Sequence, residues 1–524
     1  MSAPRLEFEA LENSDPVDYL NELKTNKELV RDRNRAFTRL FLDSFDWRLF
    51  RKGFMLVTDK LEGRFRTAWQ TCDNAEILAV VLSDRSAVFI EDLPEGKMRR
   101  DLAPILEMRA LLPQAQLGCL QQRWRLLNKN EKTVLRLNLE SYTVENADRE
   151  PKKLRSRVSL EAVKGYESAF TEVSALLRER LDLRPLSTNL LVAALNRVGQ
   201  HPGDYPAGLD LHLEPSLRAD SAIRIIFCRL FSILESNEFG TRQKIDSEFL
   251  HDFRVAIRKT RALLNQSNAI FPDDAIESFT REFAWLGGAT GATRDLDVYL
   301  LNFDHYKKAL PVSIREDLEP LRDLLQTKQR HAQSELVKVL ASTRYEHLKK
   351  NWRKFLAQSF DEKPGEALAA KRVKQIADAR IWRVYKIILR KGRAIDSDTP
   401  PKRLHRLRIH CKKLRYLVEC FGSLYRAKQI RQLLKALKDL QDNLGKFQDL
   451  EVQETTLQEF SIEMMESGTA ARTLLAMGVL VQELERERES IRLQFMRRFA
   501  EFDSAEHSKL FQFLFKSEAE KPAT

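Results

Sequence analysis

Helix breakers, disulfide frameworks and long apolar runs are what this sequence has least of. Glycine and proline number only 18 and 17 in 524 residues, which argues against a loop-dominated or low-complexity chain and favours helix. The five cysteines (Cys72, Cys119, Cys228, Cys411, Cys420) are odd in number and lack Cys-x-x-Cys spacing. Neither a disulfide scaffold nor a zinc site is expected, and a reducing, cytoplasmic setting fits. No apolar run approaches the length of a membrane span, and the acidic N-terminus does not resemble a signal peptide, so no membrane association is expected. The length exceeds what one core normally supports, so more than one domain is expected.

Charge is plentiful and uneven. The net charge is +12. Residues 1–217 hold 33 basic and 33 acidic side chains, whereas residues 218–524 hold 55 and 43. Within the second half, residues 371–415 carry sixteen Lys or Arg against three acids. A basic half predicts an anionic partner, although a solvated cationic surface would give the same count.

The basic residues follow a repeat. The pattern His-x-x-Arg-x-x-x-Arg-x-x-Arg occurs at His251, Arg254, Arg258 and Arg261, and returns 154 residues later as His405, Arg408, Lys412 and Arg415. On a helix these spacings keep all four side chains within an arc of roughly 80°. Each helix would therefore present a cationic rib. The apolar stripes Leu250, Phe253, Ile257, Leu264 and Leu404, Leu407, Cys411, Val418 sit one residue earlier, about 100° around the helix. One face can then pack inward while its neighbour lines a groove. At the same offset Gly291, Arg294, Asp295, Asp297 and Val298 correspond to Gly445, Gln448, Asp449, Glu451 and Val452. Two motifs sharing one offset indicate an internal duplication.

The Gly/Pro cluster of residues 199–208 is the best boundary. The reading is an α+β domain over 1–197, a linker over 198–217, and an all-α domain over 218–515 with repeats of about 218–360 and 371–510. In the first part, residues 54–57, 77–82, 87–90 and 134–139 read as strands, with helices over 16–30 and 166–181. In the second, helices are expected around both ribs and over 276–289, 318–341, 371–392, 428–445 and 470–500, giving two antiparallel bundles of roughly four helices each. Arg344, Tyr345, Trp352 and Trp382 are expected as packing anchors. Arg294, Asp295, Asp297, Asp449 and Glu451 are expected to orient the basic rows.

Residues 250–261, 294–298 and 404–416 resemble the signatures of the CHAD family, the conserved histidine α-helical domain. The resemblance covers roughly 218–510. It implies two pseudo-symmetric four-helix bundles whose basic faces meet in a groove, and binding of inorganic polyphosphate, often at polyphosphate granules. The eight rib residues are the expected contacts, with Lys259, Arg294, Lys413 and Tyr416 as secondary ones. Residues 41–53 resemble, more weakly, a stretch of the CYTH domain, an antiparallel β-tunnel that hydrolyses triphosphates with a divalent metal. That family's opening Glu-x-Glu-x-Lys would fall at Glu7, Glu9 and Leu11, without the lysine. Its tunnel arginines would fall near Val57 and Asp59, and one of its closing acidic pair at Ser159. A triphosphate needs several cations and a carboxylate-held Mg²⁺, so a degenerate, non-catalytic domain is expected.

Rows of Arg and Lys bind phosphate through charge-assisted hydrogen bonds, Arg bidentately. A histidine beside phosphate is expected to hold its proton more readily, adding affinity below about pH 7. Two histidines ringed by arginines make a poor divalent-metal site, so neither metal nor cofactor is expected. The alternatives are a triphosphate or polyphosphate hydrolase using the N-terminal domain, and a nucleic-acid binder. The ribs lack the polar groups of base readout and the aromatics of stacking.

Overall fold

The computed structural model describes residues 5–10, 28–73, 75–146, 149–179, 183–186, 188–205, 209, 211–358, 368–396 and 398–516. The chain divides into two compact units, Met1–Tyr205 and Pro206–Thr524.

The first unit is built on one antiparallel sheet. Its strands are β1 (Arg5–Glu9), β2 (Leu29–Arg31), β3 (Arg35–Asp43), β4 (Phe54–Leu61), β5 (Arg64–Thr71), β6 (Ile77–Ser83), β7 (Leu112–Leu127), β8 (Thr133–Asn146), β9 (Arg149–Lys153), β10 (Arg157–Ala162) and β11 (Arg184–Pro185). They pair in the order β11-β1-β10-β8-β7-β3-β4-β5-β6, with β2 added to β7 and β9 to β8. The result is a curled half-barrel, whose ladder runs from β11 to β6 without closing among the described residues. Alternation separates its faces. Leu40 and Leu42 of β3 pack with Leu56 and Trp69 under helix α1 (Lys97–Leu106). Trp124, Leu137 and Leu160 pack under α2 (Glu167–Glu179). On the opposite face Phe41, Val57, Leu117 and Tyr142 pack with Leu191 and Leu195 of α3 (Leu190–Arg197).

Two sequence expectations change here. Residues 87–90 form no strand, because the Asp92 carboxylate accepts from the backbone amides of Val88 and Phe89 and closes a 3₁₀ turn instead. Of the helix expected over 16–30, residues 16–27 lie outside the described residues, and Leu29 and Val30 belong to β2.

The second unit is helical. Its first repeat contains α4 (Ala219–Gln243), α5 (Ser247–Leu264), α6 (Asp273–Ala289), α7 (Gly291–Leu301), α8 (Phe303–Ala309), α9 (Glu319–Leu340) and α10 (Thr343–Ala357). Its second contains α11 (Val373–Gly392), α12 (Pro401–Phe421), α13 (Ala427–Glu466), α14 (Ala471–Phe502) and α15 (Ala505–Phe515). Each rib helix is started by its sequence: Asp246 caps α5 by accepting from the amides of Glu248 and Phe249, and Pro401 opens α12. The 154-residue offset is visible in the backbone. Ala219 N donates to Lys371 O and Val373 N to Leu217 O, both at 2.8 Å. Residues 217 and 219 correspond to 371 and 373, so a local twofold axis passes through this bridge. The stripes predicted for α5 and α12 are buried, and buried residues of both repeats join one continuous core rather than two separate ones. Trp352 and Tyr345 are anchors in it, Trp352 standing against Phe227, Phe279 and Phe283. Helix α13 runs 40 residues, well past the expected 428–445, and carries the acidic motif of the second repeat within it.

Candidate functional site

The first rib lies half-buried along α5. Arg254 donates through Nη1 to Thr290 Oγ1 at 2.9 Å and to Gly287 O at 3.3 Å, while its buried Nε has no partner. Burial lowers its pKa, and the neighbouring Asp295 opposes that shift. Arg258 and Arg261 make no hydrogen bond or ion pair among the described residues, and the Nε of Arg258 is buried. Lys259 is ion-paired to Glu419 at 2.8 Å. On the second rib Arg408 meets Asp449 at 2.9 Å and Arg415 meets Glu419 at 2.7 Å. Lys412 has no partner among the described residues.

The two ribs converge. Glu419 of α12 holds Lys259 of α5 and Arg415 of its own helix, tying the rib helices together. Lys412 lies close enough to Arg408, Arg258 and Arg254 that burial, with these like charges, pulls its pKa down to about 8. Burial raises the pKa of Asp295, with Arg254 opposing and Asp449 of the other repeat adding to it. Equivalent glycines make room for equivalent arginines: a Cβ on Gly291 would stand 3.7 Å from Arg254 Nη1, and one on Gly445 3.8 Å from Arg408 Nη2. The centre is thus a cluster of partly desolvated cations, several with unused donors. Such donors in a low-dielectric setting favour an anion with many oxygens.

The sequence profile of the CHAD domain matches residues 226–458. This stretch is a CHAD domain. Among solved structures, the CHAD domain from the plant Ricinus communis aligns at 25% identity and TM-score 0.46, over 55% of this chain and 94% of that one. PptA from Streptomyces chartreusis aligns at 17% and 0.42, over 56% and 98%. A putative adenylate cyclase from Bacillus halodurans aligns at 13% and 0.26, over 36% and 95%. No curated protein matches the sequence.

The histidines of the CHAD domain occupy equivalent places but differ in chemistry. His251 Nδ1 stands 3.1 Å from Arg294 Nη2, a group that can only donate. Nδ1 therefore accepts, which fixes the neutral Nε2–H tautomer. His405 Nδ1 faces Gln448 Oε1, whose amide is oriented by the donation of Nε2 to Glu451 at 3.0 Å. There Nδ1 donates. His405 also lines a cavity of about 440 Å³ with Lys402, Arg406 and Thr455.

Other predicted residues stand beside the ribs or away from them. Arg294 donates to Ser247 O and lies 3.7 Å from Glu248, fastening α7 to the start of α5. Asp297 accepts from Gln329. Tyr416 is half-buried on α12 beside the rib. Lys413 faces α11, where Arg380 and Arg383 are its charged neighbours. Sequence reasoning missed Glu419; its only local signal is an acid four residues after Arg415. The roles of Gly291 and Gly445 were also missed, although both belong to the repeat.

In the first unit the sheet face of Phe41 and Tyr142 carries charges of both signs, some paired with one another, while Arg35, Arg66 and Arg136 on that face make no side-chain hydrogen bond or ion pair among the described residues. Arg39 grips Asp59 bidentately at 2.7 and 2.9 Å, at a position where a tunnel cation was expected, while Val57 is core. Arg125 pairs with Asp32 at 2.8 Å. Glu140 accepts from Gln121 and Tyr142, and Arg123 donates to Gln121. Asp43, at the end of β3, accepts from the amides of Ser44, Leu49 and Phe50, and burial pushes its pKa up to about 6. Glu7 pairs in register with Ser159, and Glu9 meets Arg155 at 3.5 Å. Among the described residues no three His, Cys, Asp or Glu side chains gather to hold a metal ion.

Proposed function

We propose that this protein binds inorganic polyphosphate without cleaving it, between the two rib helices of its CHAD domain. The observation that carries the reading is the convergence of Arg258, Lys412, Arg254 and Arg408 from both repeats, with unpartnered donors and depressed basicity at Lys412. A chain of phosphates supplies one charge and two or more acceptor oxygens per unit, which matches a row of Arg and Lys better than a single phosphate would. Membership in the CHAD family supports the same ligand class. The partial neutralisation of the first unit's sheet face supports binding over turnover, since Arg39, Arg123 and Arg125 already hold carboxylates or an amide, while Arg35, Arg66 and Arg136 on that face keep their donors open among the described residues. Attachment to polyphosphate granules would follow from the same contacts.

The test is a titration of the full chain with long-chain polyphosphate at fixed salt, followed by sizing of the recovered polymer after incubation with Mg²⁺. The expected result is tight binding and unchanged polymer length. Changing Arg254, Arg258, Arg408 and Lys412 together to Ala should weaken binding at least a hundredfold. Unaltered affinity would remove the ribs from the site, and shortened polymer would restore the hydrolase reading.

A further inference from the structure

A second cationic cluster lies in the CHAD domain, away from the ribs. Along α11, Arg380, Arg383 and Lys391 fall on one side at helical spacing. Along α12, His410 and Lys413 lie on the flank opposite the rib, on the far side of the buried stripe formed by Leu407, Cys411 and Leu414. The two helices pack antiparallel, so that Lys391 comes beside His410, and Arg380 and Arg383 beside Lys413. Arg380, Lys391, His410 and Lys413 are half-buried, and Arg383 is exposed.

What is missing from this seam, among the described residues, is an acid. Arg383, Lys391, His410 and Lys413 make no hydrogen bond or ion pair among the described residues. Arg380 donates once, to the backbone oxygen of Asn268 at 3.3 Å. Burial comes first in lowering the pKa of Arg380, to about 10, with Arg383 adding to it. Burial and neighbouring cations act likewise on Lys413 and His410, and among the described residues no carboxylate offsets any of the three. The ribs differ, because Asp449 and Glu419 sit among them. On α11 the acid Asp378 is turned to Lys374 and Tyr425 instead. Cations crowded together and partly withdrawn from water raise the free energy of the empty protein. An anion with several oxygens, lying along the seam, would reverse that cost and use the open donors.

We infer that the α11–α12 seam is a second oligophosphate site, independent of the ribs, in which Arg380, Arg383 and Lys413 contact the ligand and Lys391 and His410 flank it. It does not rest on the ribs being a polyphosphate site, because no rib residue contributes to it.

The probe is tripolyphosphate, titrated calorimetrically into the full chain at fixed salt. The parent is expected to bind two equivalents. R380A/R383A and R258A/K412A should each bind one, and the fourfold variant none, with thermal melts verifying the fold in each case. Because Arg383 is exposed, R383Q alone is the safeguard against misfolding and should weaken the second equivalent about tenfold, with R383K restoring most of it. If R380A/R383A and R383Q both bind as their parents do, the seam is not a site. Loss of binding in the seam variants with none in R258A/K412A would uphold the seam and overturn the ribs. A DNA oligonucleotide of equal charge that displaces tripolyphosphate from the R258A/K412A protein more tightly than tripolyphosphate binds would overturn the assignment of ligand.

Discussion

Lys412 is a side chain whose burial opposes folding and which, on the proposed function, favours binding. In the unfolded chain its amine titrates near the ordinary 10.5, but in the fold burial and three arginines bring it down to about 8. Between these values the unfolded state holds more protons, so stability should rise with pH from about 8 to about 10.5 and be lowest below that window. Lys412→Met removes the cost, so we expect a melting temperature raised at pH 7 by the equivalent of about 1–3 kcal/mol, with the pH-dependent rise lost. The same variant should bind polyphosphate about tenfold more weakly. Parallel melts and titrations at pH 7 and 9 check both effects, and a Met variant that is less stable at pH 7 would contradict the desolvation argument. The position of Lys412 in the row was legible from its spacing. Its desolvation was not, because that depends on Arg254 and Arg258 arriving from a helix some 150 residues away.

Between helices, two glycines make close packing possible. A Cβ on Gly392 would fall 1.9 Å from a ring carbon of Phe499, and one on Gly240 2.2 Å from the ring of Phe249. Both rings are buried and cannot swing into solvent. Gly392→Ala should therefore destabilise the helical unit by about 1–3 kcal/mol through overpacking, although alanine is the better helix former; a denaturant melt with an unchanged m-value checks this. Gly445→Ala, whose Cβ would meet only Arg408 at ordinary contact distance, should cost far less. Helix positions were well legible where an apolar stripe runs at a 3.6-residue period, as in α5 and α12. The far end of α13 was not, because past Gly445 its exposed polar residues obscure the stripe. Residues 87–90 failed for another reason: their apolar run belongs to a turn organised by Asp92, a contact that hydrophobic periodicity does not register.

For the whole molecule the uneven charge predicts how binding responds to salt. If the ribs neutralise phosphates, the slope of log affinity against log salt measures how many, and each rib cation removed should lower its magnitude by about 1. Arg258→Ala and Lys412→Ala together should flatten it by about 2, whereas Arg39→Ala, confined to its pair with Asp59, should leave it unchanged. A slope altered equally by all three would mean diffuse attraction to net charge. The duplicated helical architecture could be read from one repeated motif, because a fixed offset constrains many residues at once. The state of the β-sheet face could not, since whether an arginine is available or already clasped by Asp59 depends on register between strands.

The backbone bridge of Leu217 and Ala219 with Lys371 and Val373 relates the two halves by a rotation that exchanges them. A strand of nucleic acid has two different ends, so reversing it across such an axis presents unlike groups to each half. An inorganic phosphate chain reads the same from either end. It can enter such a cradle in two orientations of almost equal energy, doubling the ways of forming the complex. Only the differences between halves, such as Arg258 against Lys412, Arg294 against Gln448 and Asp297 against Glu451, would favour one orientation. The geometry therefore suits a polymer without direction.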